Sequence, residues 1–233
     1  RSPQEVPAVE GVDLAGYNAP CRTVGGDYYD FFAYPDGRLA LMVGDVAGKG
    51  MPAALMMSSL QARVRALAED PPPLAQFMAR LNRGTCASCP NNRFITFFLC
   101  VLDPATGEFA YSNAGHNPPL LVRASGAVER LAGGGTFLGI FPGMQYEELR
   151  GRMHPGDVLV MFSDGVTEAA APGSEEEFGE DRLAALLTSR AGRGAAELIA
   201  EINQAVAEWT RGAPPADDVT LMVARRLAAP ARL

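Results

Sequence analysis

Three apolar runs in this chain carry aspartate at one end, and no other feature limits its fold as much. LALMVG (39–44) runs into Asp45, VLVMFS (158–163) runs into Asp164, and Asp217-Asp218 lead into VTLMV (219–223). Short apolar runs bounded by turn residues read as buried strands, so each carboxylate stands where a strand leaves the core. A fourth carboxylate, Asp27, lies in the aromatic-rich segment 24–34, which favours a strand. Pro35-Asp-Gly-Arg38 is a turn signal and 38–46 returns antiparallel. That hairpin puts Asp27 and Asp45 together at the end away from the turn. Strand-end aspartates standing alone are ordinarily solvated. Four sets beside glycine or in tight turns, brought to one end, would repel strongly without a cation. Hard oxygen donors select Mg²⁺ or Mn²⁺ over softer metals. Asp45 between two such ions would make a two-metal site, where a bridging water is deprotonated and attacks phosphorus in line.

The stretch after Asp45 fits that chemistry. Gly44, Gly48 and Gly50 let the backbone turn tightly, and a helix over 52–67 follows with Pro52 in its first turn. A nucleotide-binding P-loop is excluded by spacing: Gly44 to Gly48 is one residue short, and Gly50 stands where Ser or Thr would hold magnesium. Leu55, Met56, Leu60, Val64 and Leu67 form the expected apolar stripe of the helix, with Met51, Met56 and Met57 as core filler. Lys49 is a candidate to attract phosphate, against the plainer reading of a solvated lysine.

Composition narrows the class. Apolar residues make up 48 % of the 233, enough for a real core. A net charge of −7 argues against non-specific nucleic-acid binding. No apolar run reaches membrane-spanning length and no signal-peptide pattern appears, so a cytoplasmic location with no membrane contact by this segment is expected. The chain opens on Arg1, as expected of a piece of a longer protein, which could itself be tethered to a membrane through an upstream part. Cys86 and Cys89 form a C-x-x-C with no second pair at zinc-site spacing, and Cys100 lies in an apolar run. A reduced protein is expected.

Along the chain, strands are expected over 12–18, 94–102, 109–112, 120–123 and into the final run from Asp217. A second helix is expected from Leu74, after Pro71-Pro-Pro73, and others over 182–189 and 195–210, with Trp209 in the core. Strands mixed with clustered helices suggest α+β with antiparallel sheets.

The segments GGDYYDFF (25–32), VGDVAGKG (43–50), NAGHNPPLL (113–121), FSDGVTEA (162–169) and DDVTL (217–221) occur in the order and spacing of one family. Over about residues 12–226 the chain resembles the metal-dependent serine/threonine phosphatases of the protein phosphatase 2C superfamily, in the bacterial SpoIIE/RsbU-type branch. The resemblance implies a four-layer α-β-β-α sandwich of two antiparallel sheets flanked by helices, and two Mn²⁺ or Mg²⁺ ions with a weaker third. It implies that Asp45 bridges both ions with help from the Val46 carbonyl. Asp27 would serve the second ion, and Asp164 and Asp217 the first. Asp218 is a further candidate ligand, standing where the wider family has Asn. His116 is a candidate substrate or third-metal contact, against a structural histidine of the loop.

Two departures stand out. Ala47 replaces the wider family's histidine, and no early arginine matches its phosphate-binding one, with Arg22 the nearest guess. The domain is expected over 12–226, with 1–11 a lead-in from an upstream domain and 227–233 a tail. By resemblance the substrate is a phosphorylated STAS-type anti-sigma-factor antagonist, and the partners are an upstream sensor and a second copy, with the helices from Pro52 and after Pro73 as a switch. The rival readings are a metallohydrolase of small phosphate esters and a degenerate domain that only binds a partner.

Overall fold

The computed structural model describes residues 9–88, 93–190 and 192–228. The hairpin of β2 (Tyr28–Ala33) and β3 (Leu39–Val46) forms as its turn signal predicts, with Tyr28 opposite Gly44 and Ala33 opposite Leu39. β4 (Ile95–Leu102), β5 (Glu108–Ala114) and β8 (Leu149–Arg152) extend it to a five-stranded sheet in the order β2-β3-β4-β5-β8. The second sheet has the order β1-β10-β9-β6-β7, built from β1 (Val12–Ala19), β10 (Val219–Arg226), β9 (Val158–Phe162), β6 (Leu120–Val122) and β7 (Val128–Arg130). Every ladder is antiparallel.

The apolar runs are continuous because their strands are buried on both faces. From β3, Leu39, Leu41 and Val43 face Phe98, Met161 and Met222 between the two sheets. Ala40 and Met42 face outward against α1 (Met51–Ala68) and α2 (Leu74–Cys86), through Leu60, Phe77 and Met78. The outer face of the second sheet meets α4 (Gly179–Ser189) and α5 (Ala195–Trp209) through Leu183, Leu198 and Ile202. The result is the four-layer sandwich, helices outside and sheets within. Each fully buried Leu or Phe contributes about 1.5–3 kcal/mol relative to exposure.

α1 is fastened to β2 by a buried carboxylate. Asp30, fully buried, accepts hydrogen bonds from Arg65 Nε at 2.8 Å and from the Tyr28 hydroxyl at 2.9 Å. The Arg65 guanidinium also lies over the Phe32 ring. The contact fixes the C-terminal half of the helix against β2.

Several expectations change. β2 begins at Tyr28 and not at Val24, because the backbone N–H groups of Gly26 and Asp27 turn to the Asp218 carboxylate and leave the ladder. The buried stripe of α1 is Ala53, Met57, Leu60 and Val64, a helical spacing that carries Leu55 round to the solvent side, where it is 65 % exposed. The methionines divide accordingly: Met57 is core, Met56 half-buried and Met51 exposed. Trp209 is half-buried at the rim, with the Arg182 guanidinium 4.0 Å from its ring centre. Cys89 lies outside the described residues, and Cys100 is buried as expected. The short strands β7 and β8 carry too few residues to show a period of two.

Candidate metal centre

Antiparallel pairing decides where the aspartates meet. Asp27 immediately precedes β2, and Asp45 is the last residue but one of β3. Asp164 opens α3 (Asp164–Thr167), directly after β9, and Asp217 comes just before β10. Starts and ends of antiparallel partners share an end of their sheet, so both hairpin pairs deliver their carboxylates to one end of the sandwich.

The electrostatics there show a deficit of positive charge. Burial, then the neighbouring charges of Asp164 and Asp217, push the Asp45 carboxyl up to about 7. Asp27 is raised well above the ordinary carboxylate range, by burial and then by Asp45, although Thr220 Oγ1 donates to it at 2.6 Å. Asp164 is raised by burial and then by Asp217, and Glu168 by burial and then by Asp164. Like charges in a desolvated corner disfavour ionisation, and a cation reverses the effect.

Close approach shapes the same corner. A Cβ on Gly26 would sit 3.2 Å from the Val46 carbonyl oxygen and 3.3 Å from that of Gly48, and one on Gly25 would sit 2.4 Å from Asp218 Oδ2. Glycine at both positions keeps that space open. Asp218 itself is buried and taken up by backbone: Oδ1 accepts from Cys21 N at 2.7 Å, and Oδ2 from Gly26 N at 2.7 Å. Its carboxylate ties down the 21–27 loop. Among the described residues, the group of three whose ligand atoms lie within 4.8 Å of one another is Cys21, Asp217 and Asp218. The four expected aspartates gather less tightly than that, and Asp217 is held towards the rim.

The cause is Lys49, which is not the free lysine expected. Its Nζ lies 2.7 Å from Asp217 Oδ2 and donates to the Ala216 carbonyl at 2.7 Å. A cation thus already stands on one carboxylate of the set. Four hard oxygen donors, Asp27, Asp45 and Asp164 raised by burial and like charge and Asp217 met by an ammonium, suit a hard divalent ion. Arg22 is exposed nearby, its charge opposing that of Lys49. Arg93 donates to the Ala47 carbonyl at 3.0 Å and steadies the glycine loop from the other side, a contact no sequence signal marks.

His116 sits behind the carboxylates. Its Nε2 lies 3.1 Å from the Phe162 carbonyl, and its Nδ1 lies 2.8 Å from Thr96 Oγ1. Burial pushes its pKa down to about 4, so the ring is neutral at pH 7. A carbonyl only accepts, so Nε2 carries the proton and Nδ1 accepts from Thr96. Both ring nitrogens are engaged by protein, the arrangement of a structural histidine of the loop. Thr96 pairs with Asp45 across the β3–β4 ladder, and Phe162 ends the strand before Asp164. The ring braces the two sheets just behind two candidate ligands. His116→Ala would leave two polar groups unpartnered, at about 1–3 kcal/mol each if buried. At about 2–4 °C per kcal/mol we expect a fall in melting temperature of about 4–24 °C by calorimetry. Lost turnover at an unchanged melting temperature would instead assign the ring to the site. His154 is solvent-facing, as expected.

A cleft of about 340 Å³ between α5 and the 213–217 segment opens beside the centre, with Tyr17, Val206 and Pro215 in its walls and Lys49 and Asp217 at its edge. A larger groove, about 940 Å³, lies around Pro71–Pro73 and Arg150, and none of the four aspartates lines it.

Two facing antiparallel sheets with acidic strand ends, helices outside, define the fold of the protein phosphatase 2C domains. The PP2C domain of SiaA from Pseudomonas aeruginosa superposes with a TM-score of 0.81 at 22 % identity, covering 92 % of this chain and 86 % of that one. The sequence pattern of the Stage II sporulation protein E (SpoIIE) family matches residues 35–227, and the chain belongs to that family. It is 30 % identical to the phosphoserine phosphatase RsbU of Bacillus subtilis, over 95 % of this chain and 65 % of that protein. It is 27 % identical to protein IcfG of Synechocystis, over 96 % of this chain and 39 % of that protein. The chain therefore spans less than two thirds of either relative. The RsbU and RsbW domains of Rv1364c from Mycobacterium tuberculosis superpose with a TM-score of 0.81 at 30 % identity, over 95 % of this chain and 63 % of that one.

Proposed function

We propose that this chain is a divalent-metal-dependent phosphoserine/phosphothreonine protein phosphatase. The observation that carries the reading is the convergence of Asp27, Asp45, Asp164 and Asp217, from both sheets, on one end where they hold each other's pKa values up or share a lysine. Asp45, between Asp27 on one side and Asp164 and Asp217 on the other, would hold both ions. Mn²⁺ or Mg²⁺ bound there would supply a deprotonated water and neutralise the phosphoryl group. The chain's own part is to fix that geometry on two strand ends and to keep Asp45 seated through the β3–β4 ladder. Ala47 offers no side-chain acid, so the serine leaving group takes its proton from water.

The 340 Å³ cleft beside Asp217 favours a protein substrate over a small ester, because it gives the residues flanking a phosphoserine somewhere to bind. The likeness to the phosphoserine phosphatase RsbU supports a phosphoserine substrate; the family resemblance of the motifs points to a phosphorylated STAS-type protein, with an upstream sensor domain and a second copy of this chain as regulatory partners. Exposed Met51 and Leu55, near the start of α1, are where such a partner would reach the Asp45 loop. A merely partner-binding relic would have no reason to retain the clustered carboxylates. The test compares a phosphoserine STAS protein with p-nitrophenyl phosphate. Remote binding energy is expected to raise kcat/KM for the protein by about tenfold or more, ~1.4 kcal/mol. A preference for the small ester would favour the metallohydrolase reading.

A further inference from the structure

Lys49 is the only lysine in the 233-residue sequence, and every other cationic side chain of the Lys/Arg type is arginine. It stands between Gly48 and Gly50, both at positive φ (105° and 80°), at the tip of the loop that follows Asp45. Its Nζ reaches across to Asp217 and the Ala216 carbonyl, bridging the loop after β3 to the segment before β10. The other Asp217 oxygen, Oδ1, accepts from Asp218 N at 2.9 Å. An ion that takes Asp217 therefore competes with Lys49 for Oδ2. The displaced ammonium remains on a flexible four-carbon stem at the mouth of the cleft, a compact charge with three donors. An arginine fork in the same place would be larger and held bidentate to the carboxylate.

We propose that Lys49 is the phosphate-positioning residue of this centre: it neutralises Asp217 until a divalent ion takes that carboxylate, then turns to the phosphoryl oxygens of the substrate. The inference rests on the proposed phosphatase reading.

Lys49→Met keeps the stem and removes the charge, and Lys49→Arg keeps the charge and changes its shape. Calorimetric titration of each variant and the wild type with Mg²⁺ alone reads the competition. Inorganic phosphate as product inhibitor, and a phosphoserine protein as substrate, read the positioning. We expect Lys49→Met to bind Mg²⁺ several-fold more tightly, while the phosphate inhibition constant and KM rise about tenfold, the worth of one charge-assisted hydrogen bond. Lys49→Arg is expected to fall between on both measures. The single lysine of this sequence also allows a direct view: after reductive ¹³C-methylation its ε-amine NMR signal should move on adding Mg²⁺ and again on adding phosphate. Weaker Mg²⁺ binding in Lys49→Met, or unchanged KM and phosphate inhibition, would overturn the proposal while metal-dependent turnover in the wild type keeps the phosphatase reading intact. Absence of Mg²⁺ binding to the wild type would overturn both.

Discussion

Asp45→Asn is expected to lower turnover of a phosphoserine protein by about a thousandfold or more, equivalent to about 4 kcal/mol of barrier. The side chain would serve both ions at once, so its loss weakens each of them and the water they would activate. The same change has an opposite effect on the metal-free fold. Asp45 is pushed up to about 7 by burial and by its acidic neighbours, so it is a source of repulsion wherever it ionises. Asn has the same shape without the charge. The metal-free variant is therefore expected to melt higher than the metal-free wild type at pH 8, while being inactive. Thermal melts and single-turnover assays on the same preparations check both signs. A variant that is inactive and also less stable without metal would mean that Asp45 is a packing residue.

A second large effect concerns pH. Asp27, Asp45 and Asp164 all have carboxyls raised in the folded protein, against an ordinary carboxylate value of about 3.9 in the unfolded chain. Between about pH 4 and pH 7 the folded state therefore holds protons that the unfolded state releases. Stability falls with rising pH wherever the folded state binds more protons. Metal-free protein is expected to lose melting temperature from pH 5 to pH 8, less steeply below about pH 6.5, where buried His116, pushed down to about 4, binds fewer protons than in the unfolded chain. Mg²⁺ or Mn²⁺ should reverse that slope, because an ion binds the deprotonated carboxylates it would neutralise. At a hundredfold excess over Kd the gain is about 2.7 kcal/mol. For a domain of this size that is about 5–10 °C, expressed fully at pH 8 and shrinking towards pH 5 as protons compete. A melting temperature that rises with pH in chelator, or a metal effect independent of pH, would contradict the electrostatic account.

Much of this was legible in the amino-acid sequence, for identifiable reasons. Asp45 and Asp164 terminate apolar runs whose partners are close or strongly patterned, so their convergence follows from strand direction. The Pro35–Arg38 turn alone brings Asp27 to Asp45, as the ladder from Tyr28–Gly44 to Ala33–Leu39 bears out. Other features depend on contacts that leave no local trace. Asp218 neighbours Asp217 and looks like a second ligand. Its carboxylate is spent on backbone N–H groups almost 200 positions away, a partner no spacing rule reaches. Lys49 reads as solvated because its loop is polar, yet the fold sets it against Asp217. Leu55 looked like part of the core stripe because the helical phase was taken from Leu55–Met56, and the sheet selects Ala53 and Met57 instead. His116 stood open between a ligand and a brace. Only the neighbouring Thr96 hydroxyl and Phe162 carbonyl decide for the brace.

The most direct test of the central claim is phosphate release from a phosphoserine protein, measured as free Mn²⁺ or Mg²⁺ is raised from chelated buffer. The account predicts no turnover above background without metal, and recovery that saturates as Asp27, Asp45, Asp164 and Asp217 fill. Full turnover in metal-free buffer would contradict it.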